Sequence, residues 1–223
     1  MVDNIRMVEL VLNDEHLGKV LGEVLANCRR RLFISTADLK DVHVPVGDCP
    51  LFPGRSGKKG TVPLSRPRRG PARSIVQLLD ELARRGVEVR LLHSSIPSGP
   101  FLEELKRFGT RAGASGRGTA RLAGSGPGTG RLAIRRCVRV HAKAVIADGR
   151  WMYLGSANLT GAGLGAKSAR RRNFEAGIWT DELALIDPVL DMLDAIWTGR
   201  CCPDCGRKEH CPVPLEEPAL NVE

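Results

Sequence analysis

The chain has 223 residues, and 34 Lys and Arg against 25 Asp and Glu leave a formal net charge of +9. That length holds one ordinary domain, or one domain with a small appendage, and 42% apolar with 26% charged residues describes a folded chain and excludes a disordered one. No run approaches the roughly 18 apolar residues of a membrane span. The start, MVDNIRMVELVLNDEHLG, has acids inside its apolar stretch and no small-residue cleavage site, so a secretory signal is not expected. Seven cysteines, four of them within residues 201–211, make an odd and clustered set that argues against a disulfide framework. A cytoplasmic, reducing location without stable membrane association follows as the expectation.

In chain order, Asn13 or Asp14 caps a predicted helix reaching residue 27, with Leu17, Val20, Leu21, Val24 and Leu25 on one face. Residues 31–36 (RLFIST) read as a short buried strand. Residues 44–73 form a Pro/Gly-rich basic stretch with too little apolar periodicity for a packed element. Its Arg55, Lys58, Lys59, Arg66, Arg68 and Arg69 are candidate contacts for a polyanion. Pro71 and Gly86 bracket a helix whose stripe is Ile75, Leu78, Leu79 and Leu82. A strand is predicted over 87–92, and a helix follows from a Ser98 cap to a stop at Gly109. This alternation predicts an α/β fold.

Residues 109–130 hold eight glycines and read as an insertion that cannot form a core. Beyond them, residues 132–147 and 150–154 form a predicted hairpin about Asp148-Gly149, since Asp-Gly suits the left-handed corners of a two-residue turn. A strand over 174–179 and a helix with Asp187 as cap, Pro188 at its first position and Gly199 at its end complete the domain. Residues 1–199 are therefore read as one domain and 200–223 as a Cys/His-rich tail. Residues 44–140 carry 19 Lys and Arg against 6 Asp and Glu, so the positive charge is concentrated in the middle of the chain.

The chemistry concentrates in HAKAVIADGRWMYLGSANLT, residues 141–160. His141 and Lys143 are two apart on a predicted strand and share a face. Ser156 and Asn158 are two apart just past the partner strand, which folds them back beside the first pair. Imidazole is a nucleophile and general acid/base near neutral pH. Ammonium, amide and hydroxyl groups suit the oxygens of a phosphoryl group in transfer.

This spacing resembles the motif of the phospholipase D superfamily, H-x-K-x4-D-x6-G-S-x-N, matched here at His141, Lys143, Asp148, Gly155, Ser156 and Asn158. The resemblance implies a phospholipase D-like α/β fold with a central mixed sheet flanked by helices. It implies that His141 attacks phosphorus and becomes a phosphohistidine, while Lys143 and Asn158, assisted by Ser156, hold the phosphate oxygens. It also implies a downstream carboxylate orienting the histidine. The segment Arg172-Asn173-Phe174-Glu175 supplies Glu175 for that role. Asp148 and Gly155 are expected to be structural members of the motif.

The mechanism needs two imidazoles, and none of His16, His43, His93 and His210 has a Lys two residues later. Superfamily members with one motif pair it across a homodimer, so a homodimer is expected. No catalytic metal is implied. In the tail, Cys202, Cys205, His210 and Cys211 resemble a zinc knuckle, with Cys201 or Cys49 as alternative ligands and a metal-free reduced tail or an iron–sulfur cluster as the other readings. Cys28 and Cys137 read as core residues.

The basic middle favours nucleic acid as the partner, DNA ahead of RNA. Phospholipase or phosphatidyltransferase action on lipid headgroups is the alternative, and a nucleic-acid-binding module with little intrinsic activity is the third reading. Superfamily nucleases with a single motif also serve antiphage defence beside a helicase or translocase, which makes such a partner a further expectation.

Overall fold

The computed structural model describes residues 7–24, 27–45, 72–109 and 132–218. Strand β1 (Val8–Leu12) leads into α1 (Leu17–Val24), a helix wound with the wider π repeat, and then β2 (Arg31–Thr36). Short strands β3 (His43–Pro45) and β4 (Ala72–Ser74) pair antiparallel with each other. Helix α2 (Ile75–Arg84), strand β5 (Glu88–His93) and helix α3 (Gly99–Gly109) follow. Then come β6 (Leu132–Arg136), β7 (Lys143–Ala147), β8 (Trp151–Gly155), β9 (Ala176–Thr180) and α4 (Leu183–Trp197).

Seven strands form one mixed sheet in the order β1-β9-β8-β7-β2-β5-β6. β2, β5 and β6 are parallel; β7, β8, β9 and β1 continue the sheet antiparallel. The two central strands are apolar on both faces, because both faces are covered: β7 is buried throughout and β2 after its first residue. One face packs α1, α2 and α3 through Leu21, Leu79, Leu82 and Phe101 against Ile34, Leu91 and Tyr153. The other face packs Ile186, Leu193 and Trp197 of α4 against Phe33, Ile146 and Met152. Phe33 meets Trp197 edge-on with ring centroids 5.6 Å apart, and the Arg135 guanidinium lies over the same indole at 4.7 Å. Among the described residues no helix is long and apolar enough to cross a membrane.

The α/β architecture with its mixed central sheet is as expected, and several element boundaries differ. The strand expected over 132–147 is two strands. A turn with Val140 N–H donating to the Cys137 carbonyl at 3.0 Å interrupts it, and residues 137–142 cross from the sheet edge, past β5 and β2, to β7. β1 was not foreseen, although Val8, Leu10 and Leu12 alternate on one of its faces. Helix α2 starts after Ser74, whose side chain accepts from the Gln77 N–H; Pro71 lies outside the described residues. Helix α4 starts one turn before Asp187, because Glu182 caps it and accepts from the Ala184 N–H. Pro188 therefore stands inside that helix. Most of the basic stretch, with Arg55, Lys58, Lys59, Arg66, Arg68, Arg69 and Cys49, lies outside the described residues, as does the Gly-rich insertion after Gly109.

Candidate active site

The C-terminal ends of β2, β5, β6 and β8 and the N-terminal ends of β7 and β9 lie at one end of the sheet, as the strand registers require. Open α/β sheets bind ligands beyond the carboxyl ends of their parallel strands. His141, Lys143, Ser156, Asn158 and Glu175 all collect there. Lys143 opens β7 opposite Gly155, the last residue of β8, and Gly155 in turn faces Gly177 on β9.

His141 precedes β7 and is exposed, whereas Lys143 is buried to 8% exposure. The Lys143 Nζ stands 3.2 Å from Nδ1 and 3.1 Å from Nε2 of His141. Burial of the lysine stem aims the ammonium at the mouth of the site.

Asn158 is anchored through one end of its amide. Its Oδ1 accepts from the backbone N–H of Ala37 at 3.1 Å and of Asp38 at 3.0 Å, just past β2. Thr36 binds the same turn together: its hydroxyl donates to the Asp38 carbonyl at 2.7 Å and accepts from the Leu159 N–H at 2.9 Å. With its oxygen committed, Asn158 has its NH2 group left to donate, which is what a phosphate oxygen requires.

Ser156 donates to Glu175 Oε2 at 2.5 Å and accepts from the Ala176 N–H at 3.0 Å. Glu175 also accepts from the Asn173 amide at 3.0 Å. Its backbone is clamped by Asn13, whose N–H donates to the Glu175 carbonyl at 2.9 Å. Asn13 holds a left-handed φ of 48°, which Asn tolerates better than most residues. Glu175 thus stands on Ser156 and Asn173, and among the described residues His141 has its polar contact with Lys143 instead.

Beneath these groups lies Tyr153, 1% exposed, its phenol oxygen accepting from the Ala157 N–H at 3.3 Å. Burial pushes this phenol up to about 12, so it stays protonated. The two glycines make room for the ring. A Cβ on Gly177 would meet Tyr153 Cε2 at 2.5 Å, and one on Gly155 would meet the Ala176 carbonyl at 2.7 Å.

Asp148 is at the opposite end of the sheet. It sits five residues along β7 from Lys143, about 17 Å at the usual rise. Its carboxylate accepts from the backbone N–H groups of Arg29 and Arg30 at 2.8 Å and of Arg31 at 2.9 Å. Burial opposes its charge, but these three donors outweigh burial and hold the carboxyl below its ordinary value. Asp148 and Gly149 take the left-handed φ values of 55° and 65° that a two-residue hairpin needs.

Of the other four histidines, His16 packs edge-on against Tyr153 with ring centroids 5.3 Å apart, and His93 ends β5 at the same end of the sheet. His16 and His93 are buried; His43 Nδ1 lies 3.3 Å from Asp41, and His210 Nε2 lies 3.0 Å from Glu209. In the tail, Cys202, Cys205 and Cys211 line a common pocket that His210 does not line. Thr36 and Asn13, which position Asn158 and Glu175, escaped the motif. The Asn-Asp pair ending the apolar alternation of β1 was the available signal for Asn13.

Residues 61–197 match the family model described as "Cardiolipin synthase, PLD-like domain". No curated protein matches this sequence. The chain is similar in structure to Nuc, a phospholipase D family member from Salmonella typhimurium, with TM-score 0.53 and 13% identity over 86% of this chain and 95% of Nuc. It is also similar to NucT from Helicobacter pylori, with TM-score 0.49 and 11% identity over 86% and 96% of the two chains. A third similar structure is phosphatidylserine synthase from Haemophilus influenzae, with TM-score 0.47 and 15% identity, where 87% of this chain covers 39% of the other.

Proposed function

The chain belongs to the phospholipase D superfamily, and from that premise we propose that it is a homodimeric phosphodiesterase that cleaves nucleic acid. The observation that carries the reaction is the convergence of His141, Lys143, Asn158, Ser156 and Glu175 at one end of the sheet. An imidazole nitrogen of His141 attacks phosphorus, and the bond from phosphorus to the leaving oxygen breaks. Lys143 and the Asn158 NH2 donate to the non-bridging oxygens as their charge grows. His141 of the partner subunit gives its proton to the leaving oxygen. Water then attacks the phosphohistidine, the same second imidazole takes the water's proton, and His141 is released. A second chain is invoked to supply that second imidazole because His16 and His93, the histidines of this chain at that end, are buried with Nδ1 held against the Asn13 and Ser95 carbonyls.

Nucleic acid is favoured by charge. Arg170 and Arg171 are exposed on the loop into Glu175, Arg139 is exposed two residues before His141, and the middle of the chain is strongly basic. DNA is placed ahead of RNA, and a defence-system helicase or translocase is the partner class that such a nuclease would serve. Action on phospholipid headgroups is the second reading. Two apolar side chains near this end of the molecule favour it: Phe174 at 96% exposure and Ile96 at 74%.

The test is to incubate wild type and His141→Ala with plasmid, single-stranded DNA, RNA and phosphatidylcholine vesicles. Cleavage of nucleic acid that vanishes in the variant is expected, with activity persisting in chelator. Lipid cleavage without nucleic-acid cleavage would replace the first reading by the second. A variant retaining a tenth of the activity would remove His141 as nucleophile, and a fully active monomer in sedimentation would remove the dimer.

A further inference from the structure

Five of the seven cysteines line one pocket of about 460 Å3: Cys137, Cys201, Cys202, Cys205 and Cys211. Four come from the tail, but Cys137 comes from the segment that crosses the sheet toward His141. The sequence alone suggests a core role for Cys137. Cys28 fills that role completely, being 2% exposed, donating to the Arg31 carbonyl at 3.2 Å and pushed up to about 12 by burial, while Cys137 packs against the edge of the core beneath α4. Cys137 is only half-buried and faces the tail.

The tail is wound as a ligand loop. Gly199 turns the chain at a φ of 79° just past α4. The Cys202 N–H then donates to the Gly199 carbonyl at 2.9 Å, and the Cys205 N–H to the Cys202 carbonyl at 3.2 Å. This is a tight turn between two sulfurs spaced C-x2-C. The Arg139 guanidinium lies 3.8 Å from Cys205 Sγ at the wall of the same pocket. Thiolate is the form of cysteine that binds metal. Cys202, half-buried, shares the pocket wall with Cys137, Cys201, Cys205 and Cys211. Such a group of sulfurs is a soft ligand set, which selects zinc over hard cations.

We propose that Cys137, Cys202, Cys205 and Cys211 bind one zinc ion as a four-thiolate structural site that ties the tail to the backbone leading to His141. Cys201 is exposed at the edge of the pocket, and His210 is turned out to its Glu209 contact with 57% of its side chain exposed. Among the described residues no three ligating side chains already stand in coordination geometry, so binding draws the four sulfurs inward and releases the protons of those still protonated. The tie reaches the catalytic segment directly. The Cys137 N–H donates to the His93 carbonyl at 2.8 Å, the Cys137 carbonyl accepts from Val140, and Val140 adjoins His141. The zinc site is independent of which phosphodiester is cleaved.

The test uses the full chain purified without chelator. Zinc is counted by elemental mass spectrometry, and the ion is exchanged for cobalt(II). About one zinc per chain is expected, with the visible and near-ultraviolet bands of a tetrahedral four-thiolate cobalt site. Cys137→Ser should weaken zinc binding by more than about a hundredfold, the upper end for an outer contact. Cys201→Ser and His210→Ala should keep full metal content. The cobalt spectrum of the wild type reads the ligand set without any variant, so it decides the matter even if Cys137→Ser does not fold. Absence of zinc, iron with labile sulfide, a spectrum of three thiolates and an imidazole, or wild-type affinity in Cys137→Ser would each overturn the assignment, as would metal loss in His210→Ala.

Discussion

Ser156 and Glu175 meet hydroxyl to carboxylate across 2.5 Å, where β8 ends and β9 is about to begin. The serine proton is thus committed to the carboxylate, and Ser156 holds Glu175 at the mouth of the site. Removing the hydroxyl leaves Glu175 with Asn173, whereas removing the charge alters the field at the imidazole and phosphoryl positions. Ser156→Ala should lower kcat by about tenfold and Glu175→Gln by about a hundredfold or more. Steady-state kinetics on whichever phosphodiester the wild type cleaves would check this, and a Glu175→Gln enzyme of wild-type rate would remove Glu175 from the site.

Asn158 has two jobs that two substitutions separate. Asn158→Asp keeps the oxygen that accepts from Ala37 and Asp38 but replaces the NH2 donor with a second acceptor facing phosphate. It should retain the melting temperature within a few degrees and lose activity by at least about a hundredfold. Asn158→Ala frees both backbone N–H groups and should also cost about 1 to 3 kcal/mol of stability. Thermal melts beside activity assays distinguish the two, and an active aspartate variant would contradict a donor role.

Asp148 acts on folding, at the end of the sheet away from the chemistry. Its folded-state carboxyl lies below its ordinary value, so in the acid range the unfolded chain binds more protons than the folded one. Its stabilisation is full above the unfolded value of about 3.9 and is lost as pH falls through the lower folded value. Asp148→Ala should cost about 1 to 3 kcal/mol at neutral pH. Asp148→Asn tolerates the same left-handed turn, should cost less, and should flatten this part of the acid limb. Denaturant melts between neutral and acid pH would show it, and an unchanged acid limb in Asp148→Asn would contradict it.

Gly177→Ala places a methyl against the Tyr153 ring at 2.5 Å, in a site floor that cannot shift without moving Ser156 and Asn158. Overpacking of this kind costs about 1 to 3 kcal/mol, or a fall in Tm of about 2 to 12 °C for a chain of this size. Activity should fall further than stability alone explains, which kcat measured well below the melting range would reveal.

Much of this was legible in the chain itself. The H-x-K-x4-D-x6-G-S-x-N spacing located the site because side-chain alternation along paired strands is a local rule. The Asp-Gly corner, the residue 31–36 strand and the helix ending at Gly109 were readable for the same reason. The break at Cys137 was not, since Leu132 to Ala147 is apolar enough to read as one strand, and only the pairing of β6 with β5 and of β7 with β2 forces the crossing. Nor was the start of α4 legible, where the Glu182 carboxylate takes the capping position ahead of the more conventional Asp187-Pro188 pair.

By itself, the sequence determined the α/β class, the nucleophile and phosphate-binding candidates, and the placement of basic charge in the middle of the chain. These depend on residue type and short-range spacing. Tertiary structure alone decided that Asp148 accepts from the backbone N–H groups of Arg29, Arg30 and Arg31, that Glu175 rests on Ser156, that Asn13 and Thr36 position their neighbours, and that Cys137 faces the tail. Each of those relationships joins residues far apart in the chain, and only the registers of a mixed sheet bring them together.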